Sequence, residues 1–315
     1  MKIDNWIFVT GAPRSGTTFV GRLLSAPLSV DYIHEPFNPD CGIPGIDRRF
    51  LYLRRGSEEA ERLRATIAAI FRYDFRLRTG YYPNDPRLRR LVKRLVGSRG
   101  PFHLRLAKLN PFHRAAVIKD PIGCLLAAYL ADEYRIKPVI LVRHPVAFVA
   151  SVLRLGWRLS LEPIRDQPHL VEDHFADDGA FLEARRENPV EQAAALWRAL
   201  NKVLLAQAEA HPGWELLRHE DVSREPVKQL RRLYERHGLS WSMRVEKRIR
   251  ARTGSHNPVE AKGGRVQDFR RDSTGLFERR LRMLEREKRR RVFEITGDVA
   301  LGLYPEESFA LDEKA

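Results

Sequence analysis

Gly11, Arg14, Gly16, Thr17 and Thr18 fall within eight residues of one another, directly after an apolar run, and together they suit the binding of an oxyanion. The stretch Ile7-Phe8-Val9-Thr10-Gly11-Ala12-Pro13-Arg14-Ser15-Gly16-Thr17-Thr18-Phe19-Val20 reads as strand, glycine loop, helix. Such a loop turns backbone N–H groups inward, and the helix N-terminus adds about half a positive charge. Gly11 and Gly16 have the spacing of a nucleotide-hydrolysing loop, which needs Gly, four residues, then Gly-Lys-Ser/Thr. Position 17 is threonine where that loop needs lysine, and the cation lies inside the loop as Arg14. The loop therefore suits an anion but not the Mg²⁺-bound triphosphate of ATP.

A second group of the same chemistry is Val142-Arg143-His144-Pro145 with Ser151 eight residues after Arg143. Arg143 ends an apolar run, and Ser151 falls about two turns into the helix that follows. A guanidinium grips a phosphate bidentately and a hydroxyl adds one more bond. Ligands of open α/β sheets bind beyond the carboxyl ends of strands, where Arg143 is placed.

These residues need a sheet to hold them. Strands are expected near 6–10, 32–37, 115–121, 138–145 and 214–221, the fourth continuous enough to be buried on both faces. Helices are expected near 16–26, 57–72, 88–96, 125–134, 145–155, 189–210, 225–237 and 277–296. Residues 38–56 look irregular, 73–86 form a surface excursion, and 156–190 read as an insertion or lid. Strands alternating with helices imply an α/β fold with a parallel sheet and right-handed crossovers.

At 315 residues the chain buries a full core, and its 43% hydrophobic and 31% charged content fits a globular protein. A net charge of +15, from 56 Lys+Arg against 41 Asp+Glu, favours acidic partners such as nucleotides, polyanions or anionic membrane surfaces. Two cysteines, Cys41 and Cys124, are too few for a disulfide framework and lack metal-like spacing, so buried thiols are expected. Lys2 and Asp4 run directly into the first strand without a signal-like segment, and no run of 18 apolar residues occurs. The expectation is a cytoplasmic protein with no transmembrane segment, leaving peripheral membrane contact open.

Taken together, the motifs resemble the sulfotransferase family that uses 3'-phosphoadenosine 5'-phosphosulfate. Gly11-Ala12-Pro13-Arg14-Ser15-Gly16-Thr17-Thr18 is similar to its 5'-phosphosulfate loop, in the arginine form of the carbohydrate and tyrosylprotein branch. Arg143-His144-Pro145 through Ser151 is similar to its 3'-phosphate element, and Leu217-Arg218-His219-Glu220-Asp221-Val222 with Pro226 and Leu230–Leu239 to a further shared stretch. The resemblance spans about residues 6–300. It implies a P-loop NTPase-like three-layer fold with a central, mostly parallel sheet, in a single domain over 1–315 with acceptor-shaping insertions at 38–110 and 156–190. Arg14, Ser15, Gly16, Thr17 and Thr18 would hold the 5'-phosphosulfate, and Arg143 and Ser151 the 3'-phosphate. Lys262 and Arg265, in Lys262-Gly263-Gly264-Arg265, are the candidates for the loop that closes over the nucleotide, although the spacing is one residue long and the leading position is Ala261.

Sulfuryl transfer needs a base, positive charge at the sulfonate and an in-line geometry. It needs no metal in principle, and none is expected. The resemblance assigns the base to Glu35 in His34-Glu35-Pro36-Phe37, with Asp120 in reserve, and charge stabilisation to Lys119 and Arg14. The cytosolic branch has a histidine base two residues after the strand-end lysine; here that position is Pro121. His34 and His144 neighbour the site in structural or substrate-contacting roles. The implied acceptor is a hydroxyl, as on a carbohydrate or glycolipid, and an anionic glycan would suit the positive field. The alternatives are a P-loop small-molecule kinase, which Thr17 disfavours, and a basic polyanion-binding protein. No nucleic-acid motif is present.

Overall fold

The computed structural model describes residues 3–80, 97–253 and 283–311. Five parallel strands make one sheet: β1 Asn5–Thr10, β2 Val30–His34, β3 Ala115–Lys119, β4 Lys137–Val142 and β5 Glu215–Arg218, in the order β2-β3-β1-β4-β5. The register pairs His34 with Lys119 and Lys119 with Val9, so three strands end level with one another. On the other side Thr10 pairs with Ile140 and Val142 with Arg218. The glycine loop, Glu35, Lys119 and Arg143 thus all leave the same carboxyl edge of the sheet.

Alternation along the strands feeds two cores. Ile7, Val9, Val117, Val139 and Leu141 face one layer, where they meet helices α1 (Thr17–Leu24), α8 (Pro226–Arg236) and α9 (Met243–Thr253). Phe8, Ile33, Ala116, Ile118, Ile140 and Val142 face the other, against α2 (Glu58–Phe71), α4 (Ala127–Tyr134), α5 (Pro145–Leu153), α6 (Pro189–Ala210) and α10 (Arg286–Ala300). Helix α3 (Arg99–Leu109) closes the open edge at β2, with Gly100, Leu104 and Ala107 buried. The short helix α7 (His219–Arg224) follows β5 without a connecting loop.

Most expected elements form near their expected bounds. Helix α6 starts where Asn188 caps it by accepting the Val190 N–H, with Pro189 at its first position. Segment 38–56 has neither helix nor strand, and 156–190 contains three short helices, Glu162–Arg165, Pro168–His174 and Gly179–Glu183. The C-terminal helix runs Arg286–Ala300 with Val292, Thr296, Gly297 and Ala300 buried, and residues 277–282 of its expected span lie outside the described residues. Helices α3, α7 and α9 are additions: α9 carries only Val245 and Ile249 to the core, too few to stand out in a charged sequence. The expected helix at 88–96 lies outside the described residues. Cys124 is a buried thiol as expected, whereas Cys41 is only partly covered; both are free. Among the described residues no helix is long and apolar enough to cross a membrane.

Candidate active site at the carboxyl edge of the sheet

The glycine loop is shaped by two close approaches. Gly11 has φ 142°, and a Cβ there would lie 2.1 Å from the Leu141 carbonyl oxygen, so only glycine lets the loop leave β1 against β4. Gly16 has φ 92°, and a Cβ there would lie 2.6 Å from Nδ1 of His219. Arg14 also takes the left-handed conformation, with φ 74°. The Gly16 carbonyl accepts from the N–H groups of Phe19 and Val20, which starts α1, and no side chain caps this end. Thr17 and Thr18 form the first turn of α1 at this end. Ser15 Oγ is buried there with no hydrogen-bond partner. An unsatisfied buried hydroxyl beside an uncapped helix start fits a bound phosphate or sulfonate oxygen.

Arg14 and Ser151, expected at opposite ends of a ligand, touch: Arg14 Nε donates to Ser151 Oγ at 3.1 Å. Arg143 Nη1 donates to the Arg14 carbonyl at 2.9 Å, and the Arg14 guanidinium lies 5.8 Å from the Trp157 ring centroid. The loop and the Arg143 element are therefore one connected structure. Trp197 Nε1 donates to the Arg143 carbonyl at 2.7 Å. Buried Glu220 accepts the His144 N–H at 3.1 Å and the Tyr304 hydroxyl at 2.9 Å. Burial raises the Glu220 pKa, and the Arg143 charge opposes that.

His144 is turned away from the edge. Its Nδ1 accepts the Val146 N–H, capping α5, and its Nε2 meets Ser308 Oγ at 3.0 Å. Its ring packs on Tyr304 and Phe309. Burial and then the Arg143 charge lower its pKa to about 3, so it stays neutral. Its place is structural.

At the β2–β3 end, Glu35 follows the strand with φ 51°, and the buried ammonium of Lys119 donates to its Oε1. Asn38 Nδ2 donates to Glu35 Oε2 at 2.8 Å. His34 Nε2 lies 3.8 Å from Oε1, while its Nδ1 meets the Tyr32 hydroxyl at 3.3 Å. Lys119 reaches Glu35 along α1 at Gly21, where a Cβ would be 3.0 Å from its Cγ. Burial pushes the Glu35 pKa up, but Lys119 and then His34 pull harder, and it falls to about 2. Asp120 is walled in: Oδ2 accepts the Phe37 N–H at 2.6 Å, and Oδ1 accepts those of Ile122 and Gly123 at 2.9 and 3.0 Å. Burial and the Glu35 charge raise its pKa to about 7.

Residues 6–243 match the profile of the sulfotransferase family. The chain belongs to that family.

Solved structures with a related outline include sulfotransferase STF9 from Mycobacterium avium, at 14% identity, 97% of this chain, 78% of that one and a TM-score of 0.47. The sulfotransferase domain from the curacin biosynthetic pathway gives 16% identity, 78% and 77% coverage and 0.39. A sulfotransferase from Alicyclobacillus acidocaldarius gives 15%, 92% and 95%, and 0.33. No curated protein matches the chain. The family assignment rests on the profile match.

In this sulfotransferase the carboxyl edge gathers Arg14, Ser15, Gly16, Thr17, Thr18, Glu35, Lys119, Arg143 and Ser151; Lys262 and Arg265 lie outside the described residues. His219, which the sequence offers only as part of the stretch Leu217–Val222, and Trp157 also reach the loop, at Gly16 and Arg14. The cue for His219 was its place just beyond β5, on the edge where ligands of such sheets bind. No motif pointed to Trp157. Among the described residues no group of three or more His, Cys, Asp or Glu could hold a metal ion.

Proposed function

We propose that this enzyme moves a sulfuryl group from 3'-phosphoadenosine 5'-phosphosulfate to a hydroxyl of a carbohydrate or glycolipid acceptor, with Glu35 as base. The observation that carries this reading is the pairing of Glu35 with Lys119 on the edge shared with the glycine loop, in register through His34, Lys119 and Val9. A base and a cation adjoin the anion cradle.

Each group has a role in that reading. The loop amides, Ser15 Oγ and the Thr17 and Thr18 end of α1 hold the 5'-phosphosulfate. Arg14 belongs to that same 5' cradle, and Arg143 and Ser151 hold the 3'-phosphate, the two cradles meeting where Arg14 Nε donates to Ser151 Oγ. The donor supplies a sulfuryl group bonded to a phosphate leaving group. The acceptor oxygen bonds to sulfur as the sulfur–oxygen bond to that phosphate breaks, and Glu35 takes the acceptor proton. Lys119 meets the charge that develops on the sulfonate. A carboxylate paired with an ammonium is a weak base, so turning Lys119 toward a sulfonate also strengthens Glu35. Asp120, with both oxygens engaged by backbone N–H groups, serves as a clamp on the loop 35–37.

Titration calorimetry separates this reading from a kinase. 3'-Phosphoadenosine 5'-phosphate should bind far more tightly than ATP with Mg²⁺, and Arg143→Ala should weaken it more than it weakens the nucleotide lacking the 3'-phosphate. Preference for ATP with Mg²⁺ would overturn the donor assignment. With the sulfate donor and a panel of sugar and glycolipid acceptors, Glu35→Gln should lose about 10²–10⁴ in turnover while nucleotide affinity holds. Wild-type turnover in that variant would remove Glu35 from the role.

A further inference from the structure

Helix α3 carries two faces. Gly100, Leu104 and Ala107 pack inward beside β2, and the opposite side presents Phe102, Leu106 and Leu109 to solvent. Their spacing, i, i+4 and i+7, makes one stripe along the helix. The stripe continues past the helix end. Asn110 Nδ2 donates to the Leu28 carbonyl at 2.8 Å, and Asn110 Oδ1 accepts the Phe112 N–H at 3.0 Å, which brings Leu28 and Phe112 to the same corner. Leu109 is 79% exposed, Leu28 76% and Phe112 66%. Five large apolar side chains exposed together are unusual on a surface that stays in water.

Within its own segment the stripe is accompanied by charge of one sign. From Arg99 to Arg114 the chain has Arg99, Arg105, Lys108 and Arg114 and no acidic residue. Around the helix, Arg105 and Arg99 flank the apolar stripe on its two sides. Asp31 at this corner is buried and taken up by Asn110, Tyr73 and His113. An apolar stripe bordered by cations matches the boundary between lipid headgroups and acyl chains, with the arginines at anionic headgroups.

We propose that the face formed by α3, Leu28 and Phe112 docks this protein on an anionic membrane surface, the helix lying in the plane of the interface. The face has a direction relative to the catalytic edge. A Cβ on Gly100, at the start of α3, would lie 3.4 Å from the His34 carbonyl oxygen, and Arg22 Nη2 meets His103 Nε2 at 3.1 Å. The N-terminal end of the stripe is therefore at the carboxyl end of β2, where Glu35 stands. A membrane on this face would border the mouth of the site, which suits a lipid-borne acceptor.

Flotation with phosphatidylcholine vesicles, with and without phosphatidylglycerol, tests the proposal and needs no sulfate donor, so its outcome is separate from that of the catalytic reading. The protein should float with the phosphatidylglycerol vesicles and partition at least about tenfold less when Phe102, Leu106 and Leu109 are changed to serine. Arg99→Gln and Arg105→Gln should each cost about fivefold. In a Cys41→Ser background, a polarity-sensitive dye on Leu109→Cys should shift to the blue on the anionic vesicles; this single exposed change keeps the test open if the triple variant fails to fold. Failure to float, equal flotation of a folded triple variant, or an unshifted dye would overturn the proposal. So would a dimer in sedimentation velocity that the triple variant dissociates, since a second copy would then cover the face.

Discussion

Glu35 and Lys119 are each most useful without the other, yet the fold holds them together. The ammonium is fully buried and the carboxylate nearly so, and each offsets the desolvation of its partner. Removing either charge leaves the other buried and unpaired, but Glu35→Gln keeps the shape and an amide oxygen to accept from Lys119, which makes it a better probe than Lys119→Ala. The Glu35 pKa is lowered by the fold to about 2, from an ordinary 4.5. Its contribution is therefore complete above about pH 4.5 and is lost as pH falls toward 2, on the order of 3 kcal/mol in all. Asp120 has the opposite sign. Its pKa, raised from 3.8 to about 7, costs stability progressively as pH rises across that span. Denaturant unfolding of wild type and Glu35→Gln should show a gap at pH 6 that narrows by pH 3, with the Asp120 titration moved down in the variant because the Glu35 charge no longer opposes its ionisation. A pH-independent gap would contradict this. Glu35 was legible from its place at the carboxyl end of the second expected strand, just before Pro36, read together with the family resemblance. Its left-handed backbone and its pairing with a lysine 84 positions away were not, because both depend on the register of β2 on β3.

Among the elements, the loop between β1 and α1 is the one the sequence describes best, since Gly11 is required by backbone contact and Gly16 by its positive φ. The Leu141 carbonyl occupies the space a side chain at Gly11 would need. Gly11→Ala should therefore cost about 2–4 kcal/mol, from backbone strain together with the forced separation of β1 from β4, seen as a fall of several degrees in Tm. An unchanged melting temperature would mean that the loop leaves the strand by another path. At Gly16 the obstruction is the His219 ring instead, which can turn. The difference between the two glycines is invisible in their spacing. Helices α3 and α9 show a second limit of pattern reading. Both bury a narrow stripe and carry many cations, and the apolar residues of α3 are divided between an inner and an outer face. A search for one apolar face does not register such a helix.

For the whole molecule, the last described turn of the chain is part of the site's support. Phe309 is fully buried against Phe293 and the His144 ring, and Ser308 meets His144 Nε2. Tyr304 completes the Glu220 carboxylate that holds the His144 N–H beside Arg143. Phe309→Ala should cost about 3–5 kcal/mol and also weaken binding of 3'-phosphoadenosine 5'-phosphate, read by thermal melting and calorimetry on the same sample. Loss of stability with unchanged nucleotide affinity would show that the C-terminal turn and the Arg143 element are independent. The bond from Arg143 Nη1 to the Arg14 carbonyl has a different implication. In the proposed reading it fixes the span between the two phosphate sites, which stand on the neighbouring strands β1 and β4. A pair of cradles at fixed span works as a calliper: it measures a ligand. Two nucleotides of equal charge, with the second phosphate on the 3' or the 2' oxygen, should then be told apart by length alone.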